Sequence, residues 1–215
     1  MVNKPLLQLA VDAADLKAAM RIAGEAHPFF DILELGTPLV IEEGMHAFKE
    51  AKLRFPSRRI LVDAKIADAG YLEAYTVLSK GADIVTVLGV ADDKTIEGAV
   101  RAARETGGKV MADLIHVTSV VERARRMDAL GVDIVCLHTA SDCQSADTQP
   151  LAELEAVRPV VQCLVAIAGG MELKSAREAA ALGADIVVVS GGIIAQKDIK
   201  RAASKIYKAL HGRAG

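Results

Sequence analysis

Leu130-Gly131-Val132-Asp133-Ile134-Val135-Cys136-Leu137-His138 reads as the end of one helix and the whole of the next strand. Gly131 is the residue type that stops a helix in the left-handed conformation. Ile134 to Leu137 is an apolar, β-branched run, long enough for a buried strand and too short for a helix. The arrangement recurs as Lys80-Gly81-Ala82 before Asp83-Ile84-Val85-Thr86-Val87-Leu88, and as Leu182-Gly183-Ala184 before Asp185-Ile186-Val187-Val188-Val189-Ser190. Asp31-Ile32-Leu33-Glu34-Leu35-Gly36 is a fourth copy of the strand, and the four opening aspartates lie 52, 50 and 52 residues apart.

A second set of strands falls between these, at Leu6 to Asp12, Ile60 to Lys65, Val110 to Ile115 and Leu164 to Gly169. Helical, amphipathic segments separate them: 15–26, 42–55, 71–80, 95–106, 119–130, 173–182 and 199–210, with Asp15 and Ser119 as N-caps. Asp147-Thr148-Gln149-Pro150 reads as a loop that lengthens the sixth connection. Eight strand–helix units of near-constant length, with strands apolar on both faces, spell an α/β protein, a (β/α)8 TIM barrel spanning residues 1–215 as a single domain. An open doubly wound sheet has the same alternation but no reason to repeat in pairs of units.

Composition narrows the function. Hydrophobic residues make up 52% of the 215 and aromatics 3%, with no Trp, so Val, Ile, Leu and Ala must build the core. The 26 basic and 28 acidic residues are mixed, and the absence of a long basic run argues against nucleic acid. Cys136, Cys143 and Cys163 are an odd number without metal-ligand spacing, which fits a reducing compartment. No segment reads as a signal peptide or approaches the roughly 20 apolar residues of a membrane span. A soluble, cytoplasmic protein is expected.

Right-handed crossovers bring all strand ends to one side, where such barrels keep their chemistry. The ionisable residues gather there. Asp12 ends the first strand, Glu34 lies on the second, Asp63 and Lys65 on the third with Asp68 just beyond, Asp113 ends the fifth, and His138 ends the sixth. Asp63 and Lys65 are two apart and share a face, with Asp12 and Glu34 free to converge on them. Carboxylates on adjacent strand tips suit Mg²⁺, which takes hard oxygen ligands; the plain alternative is a salt-bridged plug. Gly169-Gly170 and Gly191-Gly192 end strands seven and eight, where backbone N–H groups can hold a phosphate, or where ordinary turns need glycine. His138 is placed for proton transfer. Asp113 alone reads as a loop cap, and His116 borders the pocket weakly. His27, His46 and His211 read as solvated surface, and Arg123, Arg125 and Arg126 as a polar helix face. Cys136 and Cys163 read as small core residues.

Asp63-Ala64-Lys65-Ile66-Ala67-Asp68 is a DxKxxD motif. In register with the other tips it resembles the signature of the orotidine 5'-phosphate decarboxylase superfamily. The likeness runs nearly end to end, through Leu7-Gln8-Leu9-Ala10-Val11-Asp12, Glu34-Leu35-Gly36-Thr37-Pro38-Leu39, Thr86-Val87-Leu88-Gly89 with Asp92-Asp93, Asp113-Leu114-Ile115, His138-Thr139 with Asp142, and Ala168-Gly169-Gly170. It is strongest to the branch that condenses formaldehyde with ribulose 5-phosphate. That resemblance implies Mg²⁺ on Glu34 and Asp63, Lys65 beside the reacting oxygens, and Asp12 completing the charged network. It also implies a homodimer with shared active sites, Asp68 entering the partner's. An enediolate beside a phosphate needs such cations to offset its charge, and His138 is the best-placed proton acceptor. Ala67 and Ala140 lean instead toward a sister branch, which decarboxylates 3-keto-L-gulonate 6-phosphate. That branch carries arginines where this chain has Ser141 and Gly192, which favours the synthase. A catalytically silent barrel acting as a binding protein is the remaining alternative, disfavoured because Asp12, Glu34, Asp63, Lys65, Asp68 and His138 are all present.

Overall fold

The computed structural model describes residues 4–144 and 150–212. Its eight parallel strands close into one barrel in chain order: β1 Leu6–Val11, β2 Ile32–Leu35, β3 Arg59–Ile66, β4 Ile84–Leu88, β5 Lys109–Asp113, β6 Ile134–His138, β7 Leu164–Ala168 and β8 Ile186–Val189. The barrel closes through β8 on β1, with Leu7 opposite Val187. Around it lie α1 Leu16–Ala26, α2 Thr37–Glu43, α3 Met45–Arg54, α4 Gly70–Leu78, α5 Asp93–Thr106, α6 Val120–Leu130, α7 Leu151–Val157, α8 Leu173–Ala181, α9 Gly191–Ile194 and α10 Ile199–His211.

Side-chain alternation along the strands divides the apolar residues in two. Ile32, Leu61, Ile84, Met111, Ile134 and Ile186 fill the barrel's interior. Leu7, Leu33, Val62, Val85 and Val187 point outward and pack with the helices in the larger core. No helix among the described residues is long and apolar enough to cross a membrane.

The expected single helix over 42–55 is two helices, because Gly44 sits at φ +52° between α2 and α3. Asp15 caps α1 by accepting from Ala18 N–H at 2.8 Å, whereas Ser119 makes no side-chain cap bond. Asp147, Thr148 and Gln149 lie outside the described residues, and Pro150 directly precedes α7. Gly81, Gly131 and Gly183 hold positive φ, as helix stops require.

The opening aspartates of the fourfold repeat have a structural task. Each lies just before an even strand, at the base of the barrel, and accepts a backbone N–H from the odd strand beside it. Asp31 accepts from Leu7 at 2.9 Å, Asp83 from Ile60 at 2.8 Å, Asp133 from Val110 at 3.0 Å and Asp185 from Val165 at 2.8 Å. Each also meets a basic group: His211, Lys52, Lys109 and Arg158 in turn. His211 is therefore tied to the barrel, its ring stacked on Tyr207, and is not loose surface. These staples sit at the end opposite the reacting groups. Asp133→Ala should cost about 1–3 kcal/mol of stability, the penalty for stranding a buried donor, with kcat/KM unchanged. A denaturant melt beside a steady-state assay checks both halves of that expectation.

Candidate active site

At the C-terminal mouth a cavity of about 650 Å³ is lined from all eight strands or the turns that follow them. Its deepest charged groups form a continuous row. Lys65 Nζ donates to Asp63 Oδ2 at 2.7 Å and lies 3.5 Å from Asp113 Oδ2. Asp113 in turn receives His138 Nδ1 at 3.0 Å. Thr37 Oγ1 donates to Asp63 Oδ2 and Thr86 Oγ1 to Asp63 Oδ1, both at 2.7 Å, so the carboxylate of Asp63 is fixed on both oxygens.

The third strand is bent to make this row. Its register with β4 shifts between Val62 and Ile66, and Lys65 sits at φ +45°. A left-handed lysine is a strained conformation, of the kind that concentrates at functional sites. The Lys65 amide donates to Thr86 Oγ1 at 2.9 Å, so one threonine holds both the lysine backbone and the Asp63 carboxylate.

The charges have defined states. Burial works against the Lys65 ammonium, but Asp63, Asp113 and Glu34 around it outweigh that, and its pKa stands above the ordinary lysine value. Burial likewise opposes ionisation of Asp113, but the bond from His138 and the charge of Lys65 hold its carboxyl below the usual range. An ionised carboxylate only accepts, so Nδ1 of His138 carries a proton. That contact leaves Nε2 as the ring nitrogen not engaged by Asp113.

Asp113 is the residue that the sequence undervalued. It does cap its loop, accepting from Ile115 N–H at 3.0 Å, but it also joins the lysine to the histidine. Asp12 accepts from Ser190 Oγ at 2.8 Å across the β1–β8 seam, lines the same cavity and repels the charge of Glu34. Asp68 is exposed, its Oδ1 accepting from Ala69 N–H, and it does not line the cavity of its own chain. His116, at φ +60°, lines a separate hollow beside β4 and β5. There Arg123 is no solvated residue: it bonds Asp93 and the carbonyls of Gly89 and Ala91. Cys136 is core, as expected, and forms part of the cavity wall.

The glycines separate into two kinds. A Cβ on Gly169 would come within 2.5 Å of the Thr139 carbonyl, and one on Gly192 within 2.4 Å of the Met171 carbonyl. Close packing requires glycine at both positions, and both also line the cavity. Gly191 keeps an ordinary φ and has nothing within 4 Å of the same position, though it borders the cavity at the start of α9. Its small size serves open space, which suits an incoming anion. Gly191→Ala should therefore fold normally and raise KM for a sugar phosphate about tenfold; an unaltered KM in a steady-state titration would count against a phosphate there.

The donor set also suits a hard cation. Glu34 is buried, and its carboxyl is pushed up to about 8, first by burial, then by Asp63 and Asp12, with Gln8 and Lys65 opposing. Asp12, Glu34, Asp63, Asp113 and Glu172 line the cavity against one ammonium, Lys65. No group of three or more His, Cys, Asp or Glu forms a ready-made cage among the described residues. Mg²⁺ needs none, since it binds through one or two carboxylates and fills its shell with water and substrate oxygens.

Barrels of this architecture keep their reacting groups at this end of the sheet, and the chain is one of the catalytic kind, a (β/α)8-barrel enzyme of lyase type. It belongs to the orotidine 5'-phosphate decarboxylase / HUMPS family, whose profile matches residues 5–206. It is similar to the 3-hexulose-6-phosphate synthase of Bacillus subtilis (strain 168), 41% identical over 205 residues, covering 95% of this chain and 98% of that one. The crystal structure of 3-hexulose-6-phosphate synthase from Salmonella typhimurium superposes with a TM-score of 0.92 at 38% identity, covering 96% of this chain and 98% of that one. A KGPDC from Streptococcus mutans, with a TM-score of 0.89 at 22% identity over 98% of this chain and 99% of that one, shares the fold.

Proposed function

We propose that this enzyme condenses formaldehyde with ribulose 5-phosphate to give 3-hexulose 6-phosphate. The observation that carries the reading is the row Asp63–Lys65–Asp113–His138 in one cavity with Gly191. Nε2 of His138 takes the proton from C1 of the ketose phosphate. Negative charge then spreads over the enediolate oxygens, and the Lys65 ammonium offsets it. C1 attacks the formaldehyde carbon, a C–C bond forms, and the new alkoxide takes up a proton. The phosphate lies toward the glycine tips of β7 and β8. Glu34 and Asp63 would hold Mg²⁺, which when bound supplies a fixed positive charge beside the reacting oxygens.

The alternative substrate carries a carboxylate. Ser141 borders the cavity, and Lys65 is the one Lys or Arg along its described wall, already bonded to Asp63. With Lys65 assigned to the enediolate, no second Lys or Arg lines the described wall to meet a carboxylate, whereas small neutral formaldehyde needs no counter-ion. The experiment is kcat/KM for both reactions on one preparation: ribulose 5-phosphate with formaldehyde, and 3-keto-L-gulonate 6-phosphate. A preference for decarboxylation would overturn the assignment, and no turnover of either would point to a silent barrel.

The working unit is read as a homodimer with shared sites. Asp68 is exposed and does not line its own cavity, and α4, which starts two residues later, leaves Leu72 66% and Tyr75 42% exposed. A second copy on that face would cover them and receive Asp68. Mixing inactive Asp68→Asn and Lys65→Ala subunits should restore about a quarter to a half of the activity once exchange is complete. No recovery after verified exchange would exclude shared sites. Free thiols at Cys136, Cys143 and Cys163 fit a cytoplasmic enzyme.

A further inference from the structure

Gln8 is a polar residue where the barrel favours an apolar one. It lies in the middle of β1, 1% exposed, and its strand neighbours in register, Ile32 and Val188, are buried and aliphatic. The side chain makes one hydrogen bond, from Nε2 to Glu34 Oε2 at 2.6 Å. Its Oε1 is buried and has no partner among the described residues. An aliphatic side chain of the same size would leave no amide oxygen stranded there. A position that accepts this penalty is serving the group that the amide does reach.

That group is Glu34, whose neighbours Asp63 and Asp12 repel its charge and whose burial disfavours it. The amide N–H donates directly to that carboxylate from Gln8, which itself lines the cavity. The contact fixes Oε2 and leaves Oε1 of Glu34 for whatever occupies the mouth. We infer that Gln8 is a positioning residue: its amide orients the Glu34 carboxylate for a divalent cation, and the barrel gives up stability to keep it. The inference rests on the reading of Glu34 and Asp63 as cation ligands.

Gln8→Met and Gln8→Leu keep the volume and remove the amide. In both, the Kd for Mg²⁺, measured by calorimetric titration of the metal-free protein without substrate, should rise about 10–100-fold, the usual cost of losing the partner that orients a ligand. The Tm of the metal-free variants should equal or exceed that of the parent. A residue kept for packing would move these readouts the other way, with Tm falling and Kd unchanged. If the parent binds Mg²⁺ and both variants bind it equally well, the role assigned to Gln8 is wrong. If the parent binds none, the cation site itself is wrong, and the two failures are told apart in one experiment. Should one variant fold poorly, as judged by circular dichroism, the other decides.

Discussion

Lys65→Met should lower kcat about 10²–10³-fold, the typical loss when one preorganised electrostatic partner of the transition state is removed, while KM changes little. The ammonium lies among Asp63, Asp113 and Glu34, so in the resting enzyme its charge is already matched. Its effect is therefore felt when further negative charge develops on the substrate, which is a change in kcat. Its raised pKa keeps it protonated across the working range, so its loss should lower the rate at every pH tested. Lys65→Arg should not restore activity. A planar guanidinium has a different reach and fork, and the backbone at φ +45° leaves little freedom to re-aim it. Steady-state kinetics from pH 6 to 9 test this, and a kcat within tenfold of the parent would remove Lys65 from the reaction.

Glu34→Gln should abolish the response to Mg²⁺ and flatten the pH dependence of the metal-free protein. The carboxyl titrates at about 8 in the folded chain against a reference of 4.5. Between those values the native state holds a proton that the unfolded chain releases, so stability falls as pH rises through that window and then levels off. At roughly 1.4 kcal/mol per pKa unit the loss amounts to a few kcal/mol by pH 8. A cation reverses the balance, because it binds the ionised form. The Tm gain from Mg²⁺ should accordingly be larger at pH 8 than at pH 6. Melts with chelator and with Mg²⁺ at both values check it. Chelator should silence turnover and Mg²⁺ revive it; full activity in excess chelator, or an identical Mg²⁺ shift in the variant, would refute the assignment.

The barrel was readable because its signals are local. Gly81, Gly131 and Gly183 stop helices through their own backbone freedom, and the apolar runs after them are too short for anything but strands. The positions of Glu34, Asp63, Lys65 and His138 followed from strand register alone. What could not be read is who bonds to whom across the barrel. Asp113 belongs between Lys65 and His138 because β5 closes on β6 and the bulge in β3 turns the lysine toward it. No property of residue 113 in isolation carries that information. Gln8 was quoted in the sequence, yet its partner 26 residues away sets its meaning. Arg123 was misjudged for the same reason, since its partners lie on the loop after β4 and at the start of α5. Gly44 could have been caught: a glycine inside an amphipathic stretch is a breaker signal.

The four basal aspartates have a consequence for how the chain can be divided. Asp31 joins β1 to β2, Asp83 joins β3 to β4, Asp133 joins β5 to β6, and Asp185 joins β7 to β8. None of these four bonds crosses from one pair to the next. A nick at Gly107-Gly108, between β4 and β5, leaves each bond within a single fragment, two in the first piece and two in the second. A nick at Gly131 parts Asp133 from Val110 and leaves a strand edge to be mended between fragments. A break between pairs therefore keeps every side-chain clasp and a break within a pair loses one, while the aspartates' backbone carbonyls reach across to the next pair, Asp83 accepting from Lys109 N–H and Asp133 from Leu164 N–H. The barrel is built as four pairs of parallel strands, each pair clasped at its base by one aspartate side chain.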